Sequence, residues 1–200
     1  MKKKDVGSSF KFMPKELASV LSTIYQRSPF YDYTLVNHAN FVAALATQRT
    51  MQLGGNPNVA YLAGWFHDVG AAIKGPEDHH KTGAEIAGKM LREFGYPEDV
   101  IKPVQYCILV HRASIEGERE TIEAKCVASA DGRAHLYQIP ALFSIAYLRL
   151  GLSSLEAAEW VKGKLKRSWN KLLPVDQEEM RKKYEAAMEL LDGSGKTFIW

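Results

Sequence analysis

The sequence has 200 residues, of which 46% are hydrophobic and 24% are charged, and its formal net charge is +3. These values are typical of one globular domain with enough apolar material for a substantial core. The longest apolar runs fall well short of the ~20 residues that span a bilayer, so a transmembrane helix is not expected. No continuous apolar segment follows the basic residues 1–4, so a signal peptide is not expected. We therefore expect a cytoplasmic protein without a membrane partner.

Two compositional features bear on partners and compartment. The basic segments 1–4 and 162–167 could attract anionic substrates or nucleic acid, but solvated charge runs are the preferred explanation. No nucleic-acid partner is predicted. The cysteines, Cys107 and Cys126, lie in apolar surroundings and outside any metal-ligand spacing, which predicts reduced thiols in the core.

The predicted elements are all helices, because apolar residues recur at helical spacing and Pro, Gly, Asn and Ser separate the segments. In chain order, we expect helices at 14–27, 38–53, 56–73, 79–94 and 98–112. After a polar loop at 114–120, further helices are expected at 121–139, 140–150, 154–169 and 176–191. The fold class is therefore predicted to be all-α.

The end of the chain carries apolar residues that the rest of the pattern does not require. The helix at 154–169 has Leu155, Ala158, Trp160 and Val161, and we expect it to cover the bundle or to form a homo-oligomer contact. The apolar residues 198–200 either dock on the body or a neighbouring copy, or form a disordered end.

The chemistry is indicated by six histidines in or beside predicted helices, several of them on apolar faces: His38, His67, His79, His80, His111 and His135. A single buried histidine is usually a satisfied core residue, but burying several imidazoles without partners costs free energy at each site. A shared metal ion removes much of this cost, because each imidazole lone pair gains a ligand bond. The pattern therefore favours a metal site.

Two aspartates end apolar segments and support the same hypothesis. Asp68 directly follows His67, where an unpaired carboxylate would be costly. For Asp131, a bound cation and a helix-capping role are equally good explanations. His135, four residues later on the same helix face, either orients the Asp131 carboxylate or is an ordinary helix residue. Gly70 permits another backbone or a ligand to approach closely.

In this order, His38, His67-Asp68 and Asp131 resemble the H…HD…D signature of the HD superfamily of metal-dependent phosphohydrolases. Four longer stretches are also similar to segments of that family: WFHDVG, HHKTGAEIAGKML, CILVHR and EAKCVASADGRAHL. The resemblance covers residues 33–150. It implies a single HD domain over 1–200, an all-α HD-domain helical bundle with an N-terminal helix and additional C-terminal helices.

Residue by residue, the resemblance implies that one metal ion is bound by His38, His67, Asp68 and Asp131. In members with two metals, Asp68 would bridge the ions and two further histidines would bind the second one. His111 matches the later histidine, and the earlier one is His79 or His80. We prefer His79, which stands four residues before Gly83, and keep His80 as a candidate for binding an anion or supporting a ligand.

The sequence differs from many members of the family in the basic residue that would contact the substrate phosphate. Many relatives carry a lysine where this sequence has Ala71. Lys74, Lys81 and Arg112 are the replacement candidates, although each could equally be a surface charge. We predict Asp68, Lys74 and Arg112 as catalytic residues. A cyclic-di-GMP phosphodiesterase of the GYP subgroup is not expected, because the sequence has no GYP motif.

The implied activity is metal-dependent hydrolysis of a phosphoester in a nucleotide or small phosphorylated metabolite. Two divalent ions about 3.5–4 Å apart would clamp the phosphoester and activate a water for attack. The mixed nitrogen and oxygen ligands suit one or two ions of Mn²⁺, Fe²⁺, Co²⁺, Ni²⁺ or Zn²⁺ better than Mg²⁺ or Ca²⁺. Two alternatives remain open: a di-iron oxygenase of the HD type and a non-catalytic nucleotide-binding module.

Overall fold

The computed structural model describes residues 13–31, 34–113 and 119–193, and these ranges contain helices and turns but no strand. The helices are α1 (Lys15–Gln26), α2 (Thr34–Leu53), α3 (Pro57–Phe66), α4 (Val69–Lys74), α5 (His79–Glu93), α6 (Glu98–Val110), α7 (Ile122–Tyr137), α8 (Ile139–Ser144), α9 (Ser154–Asn170) and α10 (Pro174–Gly193). A π-helical turn, Ile145–Arg149, extends α8. The predicted all-α fold is confirmed.

Three predicted features lie wholly or largely outside the described residues: the basic segment 1–4, the polar loop (residues 114–118 of it) and the apolar residues 198–200. In the part of the chain that is described, no helix is both long and apolar enough to cross a membrane. Cys107 and Cys126 are free and buried, as predicted. Burial raises the pKa of both thiols, which keeps them in the protonated form.

Small residues let the central helices α2, α3 and α7 pack closely against one another. A Cβ atom at Gly64 of α3 would lie 2.4 Å from the Cα atom of Ala43 in α2, so only glycine permits this crossing. Helices α5 and α6 pack against each other, and α6 also packs on α3 and α7. The buried apolar side chains of α1 to α7 form one continuous core around these crossings.

The segment 56–73 is not the single helix that its apolar pattern predicts. It divides into α3 and α4, with His67 and Asp68 in the turn between them. Two side chains satisfy backbone carbonyls freed near this break. The Tyr25 hydroxyl donates a hydrogen bond to the carbonyl oxygen of Trp65, and Nδ1 of His67 donates one to the carbonyl oxygen of Gly64. The prediction of one helix is wrong because these two side chains, one from α1 and one from the break itself, replace the lost helical hydrogen bonds.

Gly70 brings the start of α4 against the start of α5. A Cβ atom at Gly70 would lie 2.3 Å from the carbonyl oxygen of His79 and 2.6 Å from the amide nitrogen of Gly83. The close approach expected at Gly70 is therefore one of backbone to backbone. It sets His79 near Asp68, which precedes α4 by one residue.

The C-terminal helices α8, α9 and α10 share a second apolar cluster that packs beside α7. Helix α9 begins with a capping box, in which the Ser153 and Glu156 side chains satisfy each other's backbone amides. Helix α9 contacts α7, α8 and the π-helical turn, so it covers that side of the bundle. Association with a second copy of the chain stays a prediction.

A buried ionic cluster joins α10 to the helices of the core. Asp176, 1% exposed, accepts hydrogen bonds from Arg49 of α2, from Arg133 of α7 and from the Ser129 hydroxyl. The nitrogen–oxygen distances to both arginines are 2.7 Å. Glu179, on the same helix and more exposed, contacts the same two arginines. Asp176 therefore ties the first turn of α10 to α2 and α7, beside the apolar contacts that α10 makes in the second cluster.

We expect Asp176→Ala to lower the free energy of unfolding by about 3–5 kcal/mol, because it leaves two largely buried guanidinium groups without their main partner. Glu179→Ala is the matched control and should cost only about 0–1 kcal/mol, since its carboxylate is half exposed. Urea unfolding followed by circular dichroism measures both. Equal and small losses in the two variants would contradict the role given to Asp176.

Candidate metal centre

Four imidazole rings are held in the same tautomer, with the proton on Nδ1. In His67, His79 and His111, Nδ1 lies 2.7, 2.8 and 2.7 Å from the backbone carbonyl oxygen three residues earlier. In His38, Nδ1 lies 2.8 Å from Oε1 of Gln138. A carbonyl oxygen only accepts hydrogen bonds, so each Nδ1 donates. When such a ring is neutral, its Nε2 atom therefore presents a lone pair.

These lone pairs face one another in two pairs. The Nε2 atoms of His38 and His67 are 3.3 Å apart, and those of His79 and His111 are also 3.3 Å apart. Burial lowers the pKa of His111 to about 4, so that ring is neutral near pH 7. Two facing lone pairs repel each other unless a proton or a metal ion lies between them. The donor set therefore fits a bound cation at each pair.

The Asp68 carboxylate lies between the two pairs, with one oxygen toward each. Its Oδ2 atom is 3.3 Å from Nε2 of His67 and 4.0 Å from Nε2 of His38. Its Oδ1 atom is 3.3 Å from Nε2 of His79 and 3.7 Å from Nε2 of His111. Burial acts to raise the pKa of Asp68 and to lower that of His67, but each group favours the charged form of the other. The pKa of Asp68 therefore lies well below its usual range, and that of His67 is raised. Asp68 is therefore an ionised carboxylate placed between the two pairs of imidazoles.

A second carboxylate, Asp131 of α7, completes the side of the site that holds His38 and His67. Its Oδ1 atom lies 3.2 Å from Nε2 of His38 and 3.9 Å from Nε2 of His67. Its Oδ2 atom accepts a hydrogen bond from the Lys171 ammonium group. Burial would raise the pKa of Asp131, but Lys171 and His135 hold it well below its usual range. This carboxylate is ionised too, with one oxygen left for a cation.

Within the described residues, three overlapping groups of donors could each hold a metal ion. They are His38, His67 and Asp68; Asp68, His79 and His111; and His38, Asp131 and His135. The structure thus brings together six of the seven side chains that sequence reasoning put forward as ligands. The Nδ1 atom of His135 lies 2.9 Å from the Ser168 hydroxyl, which orients that ring toward Asp131.

The remaining predicted site residues lie farther from the donors. His80 is outside all three groups, and its Nδ1 atom lies 3.2 Å from Nη1 of Arg112. Arg112 lines the cavity over the donors. Lys74 is exposed at the end of α4 and is not among the cavity-lining residues, and Lys81 is exposed and paired with Asp78.

The donors open into a cavity of about 400 Å³, a size that suits a small organic ligand. Its wall is rich in positive charge, with five basic side chains: Arg112, Arg149, Lys164, Arg167 and Lys171. Its two carboxylates are Asp68 and Asp131, both at the donors. Apolar and aromatic side chains form much of the remainder, among them Tyr31, Leu35, Leu142, Ile145, Leu150 and Trp160. An anionic ligand with an apolar portion fits this lining.

Sequence reasoning missed Lys171 as a partner of Asp131. The two residues are 40 positions apart, and Lys171 follows a helix outside the recognised stretch 33–150. Its ammonium group also lies 3.4 Å from the carbonyl oxygen of His111. The only signal in the sequence was the basic character of α9, for which solvated charge was the preferred explanation.

Comparison with known proteins gives relatives of greater length. Ribonuclease Y of Alkaliphilus metalliredigens is 34% identical over 118 residues, which are 58% of this chain and 22% of that protein. Ribonuclease Y of Thermotoga petrophila is 37% identical over 118 residues, 58% of this chain and 21% of that protein. The chain thus matches about a fifth of the length of these relatives.

Solved structures show a more distant likeness. A predicted HD superfamily hydrolase from an uncultured Thermotogales bacterium is 18% identical, with a TM-score of 0.48 over 86% of this chain and 90% of that one. The HD domain of the Listeria monocytogenes phosphodiesterase PgpH, in complex with cyclic-di-AMP, is 13% identical, with a TM-score of 0.40 over 90% and 99%. The family model described as HD domain matches residues 35–134, half of the sequence. The chain therefore belongs to the HD domain family.

Proposed function

We propose that this chain is a metal-dependent phosphohydrolase acting on a nucleotide or a small phosphorylated metabolite. The observation that carries the proposal is the arrangement around Asp68, whose two carboxylate oxygens each face a pair of imidazole lone pairs. Membership of the HD domain family supports it. The relatives described above are named ribonuclease Y, and a ribonuclease cleaves phosphoester bonds, which supports a phosphoester as the bond that is cleaved.

The proposed ligands form two sets that share Asp68. One set is His38, His67, Asp68 and Asp131, and the other is Asp68, His79 and His111. Imidazole and carboxylate donors together suit Mn²⁺, Fe²⁺, Co²⁺, Ni²⁺ or Zn²⁺. When bound, such ions supply Lewis acidity and a water of lowered pKa for attack on phosphorus. His80 is assigned no ligand role, because it contacts Arg112 instead.

The side chains around the donors have distinct roles in this proposal. Lys171 holds one oxygen of Asp131, which leaves the other oxygen directed at His38. Its ammonium group, with the Arg112 guanidinium on the cavity wall, adds positive charge where a substrate phosphate would lie. We assign the role of phosphate-facing cation to Lys171 and Arg112 rather than to Lys74, which is exposed away from the cavity.

The two alternative functions share parts of the same geometry. A di-iron oxygenase would use the same ligands, and a binding module would use the same cavity. The five basic side chains of the wall favour an anionic substrate, as a phosphohydrolase requires. Oxygen consumption by iron-loaded protein, compared with phosphate release from the same preparation, separates the oxygenase from the hydrolase.

Asp68→Ala should remove bound metal, because this residue is the one shared by both proposed ligand sets. We expect metal content, measured by plasma mass spectrometry after loading with Mn²⁺, to fall to background while the helical circular dichroism signal persists. His80→Ala is the control and should keep its metal. Unchanged metal content in Asp68→Ala would refute the ligand assignment.

Phosphate release from a panel of nucleotides and phosphoesters, with Mn²⁺, Co²⁺, Ni²⁺ or Mg²⁺ added, tests the activity. We expect wild-type turnover that needs a transition metal. Lys171→Met should lower kcat by about 10²-fold, because a positive charge beside the reacting phosphate is lost. Lys74→Met should stay within about twofold of wild type, as is typical of surface substitutions. A normal rate in Lys171→Met with a large loss in Lys74→Met would reverse the assignment of the cation.

A further inference from the structure

One face of α9 lines the cavity along much of the helix. Trp160, Lys164, Arg167 and, just beyond the end of the helix, Lys171 all belong to the wall. Their spacing of three or four residues places them in one row on the helix surface. Lys164 and Lys171 are separated by seven positions, or about 10 Å along a helix at about 1.5 Å per residue. The row therefore runs from the donors to a region one to two turns away.

The basic residues of this row differ in what they contact. Lys171 is engaged with Asp131 and with the carbonyl oxygen of His111. Lys164 and Arg167 make no hydrogen bond or ion pair with any other residue in the described ranges, although both border the cavity. The positive charge nearest the donors is thus partly neutralised, whereas the charge farther along α9 is left for a ligand.

The environment of Lys164 makes an uncompensated charge unfavourable. Burial lowers the pKa of its ammonium group, while the Asp131 and Asp68 carboxylates act in the opposite direction. Lys171 and Arg167 add further positive charge nearby. An anion bound between Lys164 and the exposed Arg167 would offset the cost of burying the Lys164 charge and reduce the repulsion between the two cations.

The other basic groups of the wall are already committed. Arg112 directly follows His111 in the sequence, and its guanidinium contacts His80. In the proposed function, it faces the reacting phosphate at the donors. The guanidinium of Arg149 lies over the Tyr31 ring, 4.5 Å from its centroid. A single phosphate at the donors therefore leaves Lys164 and Arg167 without a partner.

We propose that Lys164 and Arg167 form a second anion subsite, and that the substrate carries a second anionic group about one to two helical turns from the reacting phosphate. The inference rests on the proposed function and names its substrate class, an organic phosphate with two separated anionic groups. Helix α9 lies outside residues 35–134, which match the family model, so the subsite belongs to the C-terminal part of this chain. Trp160 and the neighbouring apolar wall contact the organic portion.

Alkane bisphosphonates test the proposal without turnover, because a carbon–phosphorus bond resists phosphoester hydrolysis. The Mn²⁺-loaded full chain is titrated by calorimetry with bisphosphonates of increasing chain length and with alkylphosphonates that carry a single phosphonate. We expect a best length whose affinity exceeds that of the matching monophosphonate at least about tenfold, as a charge-assisted contact gives. Phosphonocarboxylates of the same length distinguish a second phosphate from a carboxylate.

The variant Lys164→Ala/Arg167→Ala should abolish this gain in affinity and leave monophosphonate binding within about threefold, since the donors are untouched. Lys166→Ala is the matched control, because Lys166 is exposed and lies outside the cavity wall. A wild-type series without any gain, or a gain retained in the double variant, would overturn the subsite. Monophosphonate binding that does not depend on Mn²⁺ would instead contradict the proposed metal centre, so the two failures are distinguishable.

Discussion

Imidazole lone pairs and carboxylate oxygens face one another where the ends of α3, α5 and α6 meet α2 and α7, and they repel unless a cation joins them. The repulsion is built in, because each ring is locked by a hydrogen bond from Nδ1. His67 and His111 follow the last residues of α3 and α6, where helix carbonyls lack an amide partner. Each ring satisfies such a carbonyl, and so directs Nε2 at the opposing donor. Helix termination and ligand orientation are thus one interaction.

Several features of the bundle serve to bring these helix ends together. The break between α3 and α4 places His67 and Asp68 in a turn, from which both side chains reach the other donors of the site. Gly70 allows α4 to contact the backbone of α5 directly, and this contact sets His79 beside Asp68. A larger residue at Gly70 would separate the two halves of the site. The packing of the bundle and the geometry of the donors therefore depend on the same close contacts.

The C-terminal helices balance the charge that the core concentrates. Lys171 neutralises part of Asp131, and α9 contributes further basic groups to the cavity wall. Asp176, through Arg49 and Arg133, ties α10 to α2 and α7, and α10 in turn packs on α9. The family core supplies the donors, whereas the added helices supply much of the wall that a ligand would contact. Through the proposed anion subsite, they set which phosphorylated substrate is accepted.

The sequence alone determined the helical class and the donor residue types, because both follow from local rules. Helical spacing and capping residues such as Ser153 act within one or two turns, so they can be recognised in the sequence. A histidine next to an aspartate in an apolar run signals an electrostatic cost that only a partner removes. That argument does not need the fold, and it led to Asp68.

Tertiary structure decided what depends on contacts between distant segments. His79 and His80 are neighbours that point in directions about 100° apart on a helix, so only the packing of α5 against α4 turns one of them toward Asp68. The break after Phe66 was hidden, because the apolar pattern continues through it and Tyr25, which satisfies the carbonyl of Trp65, comes from α1. Lys171 reaches Asp131 across 40 positions, a pairing that no local pattern encodes, since charge at a distance acts through the folded geometry.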